Sequence, residues 1–237
     1  MAFEKVIHKY FDKVLTEVDF VKKTYNALEK YGFNDENAIA SVCICRDEIS
    51  QPLRSIIKHI WGEAFDLSSL GGMFFAGKAG LKAIMHHAPV FAGKERYVFY
   101  ALPHIAIGEN GKLGVCKRRG RKEESNACGA LTVFLNELSS KKLNIAMDYE
   151  DIELSLIRTR LLRELTYGHV PDLIQLTKIA LKAIKEDIEN ALKKTIDKKH
   201  SDYALIMGIQ INAPDGNYIW PAECYVFVNG IKKDVTL

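Results

Sequence analysis

The run Ala38-Ile-Ala-Ser-Val-Cys-Ile-Cys45 holds a single polar side chain and then breaks into Arg46-Asp47-Glu48. A strand with one wet face alternates apolar and polar residues, whereas a strand without that alternation is covered on both faces. This run therefore predicts a central sheet strand with helices above and below it. It argues against an all-helical bundle and an open antiparallel sheet. Arg96-Tyr-Val-Phe-Tyr-Ala-Leu102 predicts a second strand, and the fold class follows as α/β.

Apolar residues recur at helical spacing over 3–15 and over 17–31, where Val18, Val21, Tyr25 and Leu28 share a face that ends at Gly32. Further helices are predicted from Ser50-Gln-Pro52 to about Ala64, then near 78–87 after the glycine-punctuated Leu70–Gly77. Others are predicted at about 129–140, 151–166 and 172–198. Two strands, 203–211 and 218–228, flank the turn Pro214-Asp-Gly216. Between His104 and Ala127 the alternation and the turn Glu109-Asn-Gly-Lys112 predict a hairpin-like excursion. No repeat, low-complexity tract or linker divides the chain. We read residues 1–237 as a single domain, with 1–33 as an N-terminal helical extension.

Charge narrows the function classes. Thirty-three basic and 30 acidic side chains leave a formal charge of +3, which indicates no nucleic-acid surface. The basic cluster Lys117-Arg-Arg-Gly-Arg-Lys122 contains a glycine and runs into Glu123-Glu124, as a solvated loop does. No apolar run reaches the ~18–20 residues of a membrane span. The early acids at the N-terminus fit neither a signal peptide nor a transit peptide, so the expected location is cytoplasmic, or an organelle stroma after processing. Five irregularly spaced cysteines do not form a disulfide framework, which favours metal binding or catalysis for any cysteine in polar company.

Two predicted strand ends and one helix start supply that company. Cys45 is followed by Arg46, Asp47 and Glu48; Pro103-His104 follows the second strand; Cys128-Gly-Ala opens a helix. In an open α/β sheet such positions converge on one crevice. Two cysteines and a histidine make three corners of a tetrahedral zinc site, with the fourth left for water. A cysteine at a helix N-terminus is also expected to ionise more readily. On spacing alone the alternatives stay open. His104 also reads as a structural histidine, and a cysteine-nucleophile hydrolase would use Cys45 with a histidine. Cys43, Cys116 and Cys224 read as packing residues.

The order of strand–Cys-x-Asp, strand–His and Cys-Gly-Ala resembles the β-class carbonic anhydrases. With some two dozen residues inserted between His104 and Cys128, the blocks CRDE, WGEAFDLSSLGGMFFAGKAGLKA, RYVFYALPHIAIGENGKLGVCKRRGR and ACGAL resemble the low-CO2-inducible protein B family. These are the theta-class carbonic anhydrases, and the resemblance runs from about Ala38 to Leu138. It implies a mostly parallel β-carbonic-anhydrase-like sheet flanked by helices, Zn2+ held by Cys45, His104 and Cys128, and a homodimer.

The implied chemistry is reversible hydration of CO2 to bicarbonate by a metal-activated hydroxide, oriented by an Asp–Arg dyad. Asp47 fits the aspartate. Ile49 stands where the β-class arginine would be, which leaves Arg46 and Arg54 as the candidates for its partner. His86 and His87 are candidate proton shuttles, His87 foremost, and Leu70–Phe75 a candidate CO2 wall. The alternative is a catalytically silent zinc scaffold or partner protein of a carbon-concentrating system.

Overall fold

The computed structural model describes residues 2–237, with side chains from Lys5 onward. The strands are β1 (Leu15–Thr16), β2 (Ile39–Ile44), β3 (Ala64–Asp66), β4 (Val90–Phe91), β5 (Lys94–Leu102), β6 (His104–Ala106), β7 (Val115–Lys117), β8 (Glu124–Asn126), β9 (Ser201–Ala213), β10 (Gly216–Val228) and β11 (Ile231–Asp234). The helices are α1 (Ala2–Tyr10), α2 (Glu17–Glu29), α3 (Gln51–Trp61), α4 (Gly77–Met85), α5 (Gly129–Ser139), α6 (Ile152–Leu162) and α7 (Leu173–Thr195).

Strands β3, β2, β5 and β9 lie side by side in parallel, and β6 continues the ladder on β9. The long hairpin β9–β10 adds an antiparallel edge carrying β1 and β11. All residues of β2 are buried, as its lack of alternation requires. Its side chains divide by period two. Ala40, Val42 and Ile44 pack with Phe20, Leu28, Leu53 and Trp61 of α2 and α3. Ile39, Cys43 and, beyond the strand end, Cys45 pack on the opposite face with residues of α4 to α7. The two cysteines of the opening run therefore share one face, one inside the core and the other at its rim.

Local chemistry accounts for most boundaries. Thr16 caps α2 by accepting from the Asp19 N–H. Asp172 and Gln175 close a reciprocal capping box on α7. The helix expected over 3–15 stops at Tyr10, because Leu15 and Thr16 pair with Ile219 and Tyr218 as an edge strand. The 104–127 excursion splits: β6 joins the main sheet, and β7 and β8 form a separate two-stranded ribbon. Among the described residues no helix is long and apolar enough to cross a membrane.

Candidate metal centre

The carboxyl ends of β2 and β5 deliver two of the three expected ligands. Cys45 is the first residue past β2, and His104 opens β6 immediately after Pro103 ends the β5 run. The ribbon β7–β8 then returns the chain to Cys128, which caps α5 with a left-handed backbone, φ 52°. Such a conformation is unfavourable for a non-glycine residue and marks a position fixed by its surroundings. The loop before α4 holds the other side of Cys45. Arg46 N–H donates to the Ser69 carbonyl at 3.1 Å, and Gly72 lies so close that an added Cβ would sit 3.3 Å from both Cys45 N and Pro103 Cα.

The ligand atoms of Cys45, His104 and Cys128 all lie within 4.8 Å of one another, and all three residues are buried. Tetrahedral zinc with Zn–S ≈ 2.3 Å and Zn–N ≈ 2.0 Å needs ligand separations of roughly 3.5–3.8 Å, which lie inside that limit. His104 Nε2 is buried without a hydrogen-bond partner. An orphaned imidazole nitrogen beside two thiol sulfurs is costly unless a cation takes its lone pair, so the donor set fits zinc.

Charge is distributed unevenly in the cluster. The Cys128 thiol hydrogen-bonds to Cys45, outweighing burial, so the Cys45 pKa falls to about 4. Cys128 moves well above the usual thiol range, because it holds that hydrogen bond and because burial and the neighbouring thiolate oppose a second charge. The helix N-terminus favours ionisation of Cys128, and the adjacent Cys45 thiolate opposes it at shorter range. Burial lowers the His104 pKa, but the Cys45 thiolate outweighs it and leaves the value raised. Cys43, inside the core, is pushed up to about 12 by burial. Cys224 is likewise buried, whereas Cys116 is only partly so.

Asp47 stands beside the cluster, its Oδ2 3.9 Å from His104 Nε2. Its partner is neither arginine proposed from the sequence. Arg118 Nη1 donates to Oδ1 at 2.8 Å and Nη2 to Oδ2 at 2.9 Å, the two-pronged geometry that guanidinium and carboxylate share. Arg118 is anchored in turn by Nε to Ser125 Oγ, 2.9 Å, and by Nη2 to the Asn126 carbonyl, 3.0 Å. Burial opposes ionisation of Asp47, but the Arg118 hydrogen bonds, with a smaller electrostatic contribution from the His104 ring, hold its pKa down at about 2.

Arg46 instead pairs with Glu153 at 2.7 Å and donates to the Ser68 carbonyl; Arg54 pairs with Asp66 at 2.9 Å. Both point away because the register of the strand end and of α3 aims them at Glu153 in the first turn of α6 and at Asp66 at the end of β3. His87 is also displaced from the site. It packs on the Phe65 ring, 5.4 Å between centroids, beside Ile39 at the opposite end of β2, and His86 caps the C-terminus of α4. Met73 and Phe74 are buried in the core. A cavity of about 610 Å³ opens between the basic ribbon and β9–β10, lined by Ile49, Cys116, Arg118, Arg121, Asn212 and Asn217 among others. The basic cluster expected to be a solvated loop thus contributes Arg118 to the site. Its one legible signal was its position in the insert between the histidine and the second cysteine.

With this arrangement in hand, comparison with known proteins decides the family. Residues 14–228 match the family described as limiting CO2-inducible proteins B/C beta carbonic anhydrases. The chain belongs to this family. Among solved structures, that of limiting CO2-inducible protein LCIB is similar with TM-score 0.80 and 34% identity, covering 96% of each chain. PtLCIB4, a homologue of LCIB, superposes with TM-score 0.86 at 21% identity, covering 98% of this chain and 99% of its own, a likeness of fold. No protein of curated function matches. The α/β architecture expected from the buried run is thus the LCIB fold.

Proposed function

We propose that this LCIB-family chain catalyses the reversible hydration of CO2 to bicarbonate, with zinc held by Cys45, His104 and Cys128 and with Asp47, paired to Arg118, orienting the nucleophile. The observation that carries the reading is the meeting of three orphan-compatible ligands with a salt-bridged carboxylate whose Oδ2 is 3.9 Å from His104 Nε2. When bound, zinc supplies the Lewis acidity that brings the pKa of water from 15.7 toward ~7. Two thiolates and a neutral imidazole offset the cation's charge, so the surrounding residues must do much of the orienting.

Asp47 suits that task. With a pKa of about 2 it stays ionised at neutral pH and accepts a hydrogen bond without carrying the proton away. It therefore acts as an acceptor that points a water lone pair at the CO2 carbon. Arg118 keeps the carboxylate charged and engages both of its oxygens, which restrains Asp47 from the ligand position. The Cys128 N–H, 3.4 Å from Asp47 Oδ2, adds a further restraint. The homodimer implied by the family resemblance belongs to the same reading.

The short separation between Asp47 and His104 Nε2 also favours a second reading, a silent zinc scaffold in which the carboxylate closes the fourth corner. Zinc content and ¹⁸O exchange between CO2 and water, measured on one sample of wild type and Asp47→Ala, separate the two. Stoichiometric zinc with exchange well above the variant supports the enzyme. Stoichiometric zinc with equal rates supports the scaffold.

A further inference from the structure

Behind the ligand cluster runs a buried chain of hydrogen bonds that the proposed reaction does not use. His104 Nδ1 lies 3.0 Å from Asn212 Oδ1. Asn212 Nδ2 donates to the Ile49 carbonyl at 3.1 Å and to Asn217 Oδ1 at 3.0 Å. Asn217 Nδ2 donates to Glu17 Oε2 at 3.4 Å, and Glu17 Oε1 accepts from Gln210 Nε2 at 2.6 Å. His104 and Gln210 are fully buried, and Asn212 and Glu17 nearly so.

The direction of every bond in this chain is determined. A backbone carbonyl and an ionised carboxylate only accept. The Ile49 carbonyl therefore demands the nitrogen of the Asn212 amide, and Glu17 demands the nitrogen of Asn217. That leaves Asn217 Oδ1 for the second Asn212 N–H, and Asn212 Oδ1 for His104. An acceptor at Nδ1 requires a proton there. In the neutral imidazole the lone pair then resides on Nε2, the buried atom that has no partner and faces the two cysteines.

We propose that Asn212 is a positioning residue for His104. Held by the Ile49 carbonyl and, through Asn217, by Glu17, it locks the imidazole in the Nδ1–H form and presents Nε2 to the cation. The inference rests on the reading of Cys45, His104 and Cys128 as a zinc site. It places part of the site's support on α2 and on the β9–β10 hairpin, elements far along the chain from every ligand. Ring nitrogens fixed in this way commonly govern metal affinity.

The test compares wild type, Asn212→Leu, Asn212→Asp and Asn217→Ala, each loaded with zinc. Affinity is read by chelator competition, the His104 ring by ¹H–¹⁵N spectra, and folding by urea unfolding. Wild type should show an Nδ1–H proton protected from exchange. Asn212→Leu should lose that signal and on the order of 10–100-fold in zinc affinity. Asn212→Asp, which keeps an acceptor, should retain the signal, and Asn217→Ala should lose less affinity than Asn212→Leu. A folded Asn212→Leu variant with wild-type affinity and a protected Nδ1–H would overturn the proposal. If that variant fails to unfold cooperatively, loss of the signal in folded Asn212→Asp overturns it instead, and retention supports it. Wild type that binds no zinc removes the metal reading and this inference together, whereas zinc-replete variants like wild type remove this inference alone.

Discussion

Arg118 and Asp47, 71 residues apart in the chain, meet through two parallel N–H···O bonds of 2.8 and 2.9 Å, with Asp47 nearly buried. The arginine comes from the inserted ribbon and the aspartate from the end of β2. Two segments unrelated in the sequence thus share one carboxylate. Arg118→Ala should lower CO2 hydration on the order of 10²-fold, while Arg46→Ala and Arg54→Ala should leave it near wild type. Arg118→Lys should recover little, since an ammonium cannot engage both oxygens. Stopped-flow hydration assays check the order; an Arg46→Ala loss equal to that of Arg118→Ala would refute it.

Metal content should follow the three clustered residues and spare the other buried cysteines. Cys45→Ser, His104→Ala and Cys128→Ser should each purify with substoichiometric zinc. Cys43→Ser and Cys224→Ser, whose thiols are raised to about 12 by burial in the core, should keep the wild-type content. Elemental analysis of the five variants decides it, and zinc retained by Cys128→Ser would contradict the assignment.

Glu17 predicts a pH dependence of stability. Burial raises its pKa above the ordinary 4.5, partly offset by the N–H groups of Gln210 and Asn217. A carboxyl with a raised folded-state value contributes stability that is fully present below its unfolded pKa and is lost as pH rises through the folded one. Glu17→Gln abolishes that titration, so the variant should gain stability relative to wild type from about pH 4 to pH 7. Urea unfolding at both ends of the range tests this, and a pH-independent difference would count against it.

Gly72 has φ 70° and sits against Cys45 and Pro103. Gly72→Ala meets the left-handed penalty of about 1–2 kcal/mol per residue, together with Cβ contacts of 3.3 Å onto backbone that cannot yield without moving Cys45. The expected result is a stability loss of about 1–3 kcal/mol with weakened zinc binding. Full stability in denaturant titration would show that the loop relaxes.

The sequence by itself determined the layered architecture. The unalternating run at 38–45 can be satisfied only by burial on both faces, and local periodicity located the flanking helices and the terminal hairpin. It also placed Cys45, His104 and Cys128 at element boundaries, because strand ends and helix starts are legible from local pattern. Only the tertiary structure decided which arginine reaches Asp47, and that Asn212, Asn217 and Glu17 stand behind His104. Those outcomes depend on through-space distances of a few ångströms between distant segments. Coulombic and hydrogen-bond energies fall off over that same scale, so spacing along the chain carries no record of them.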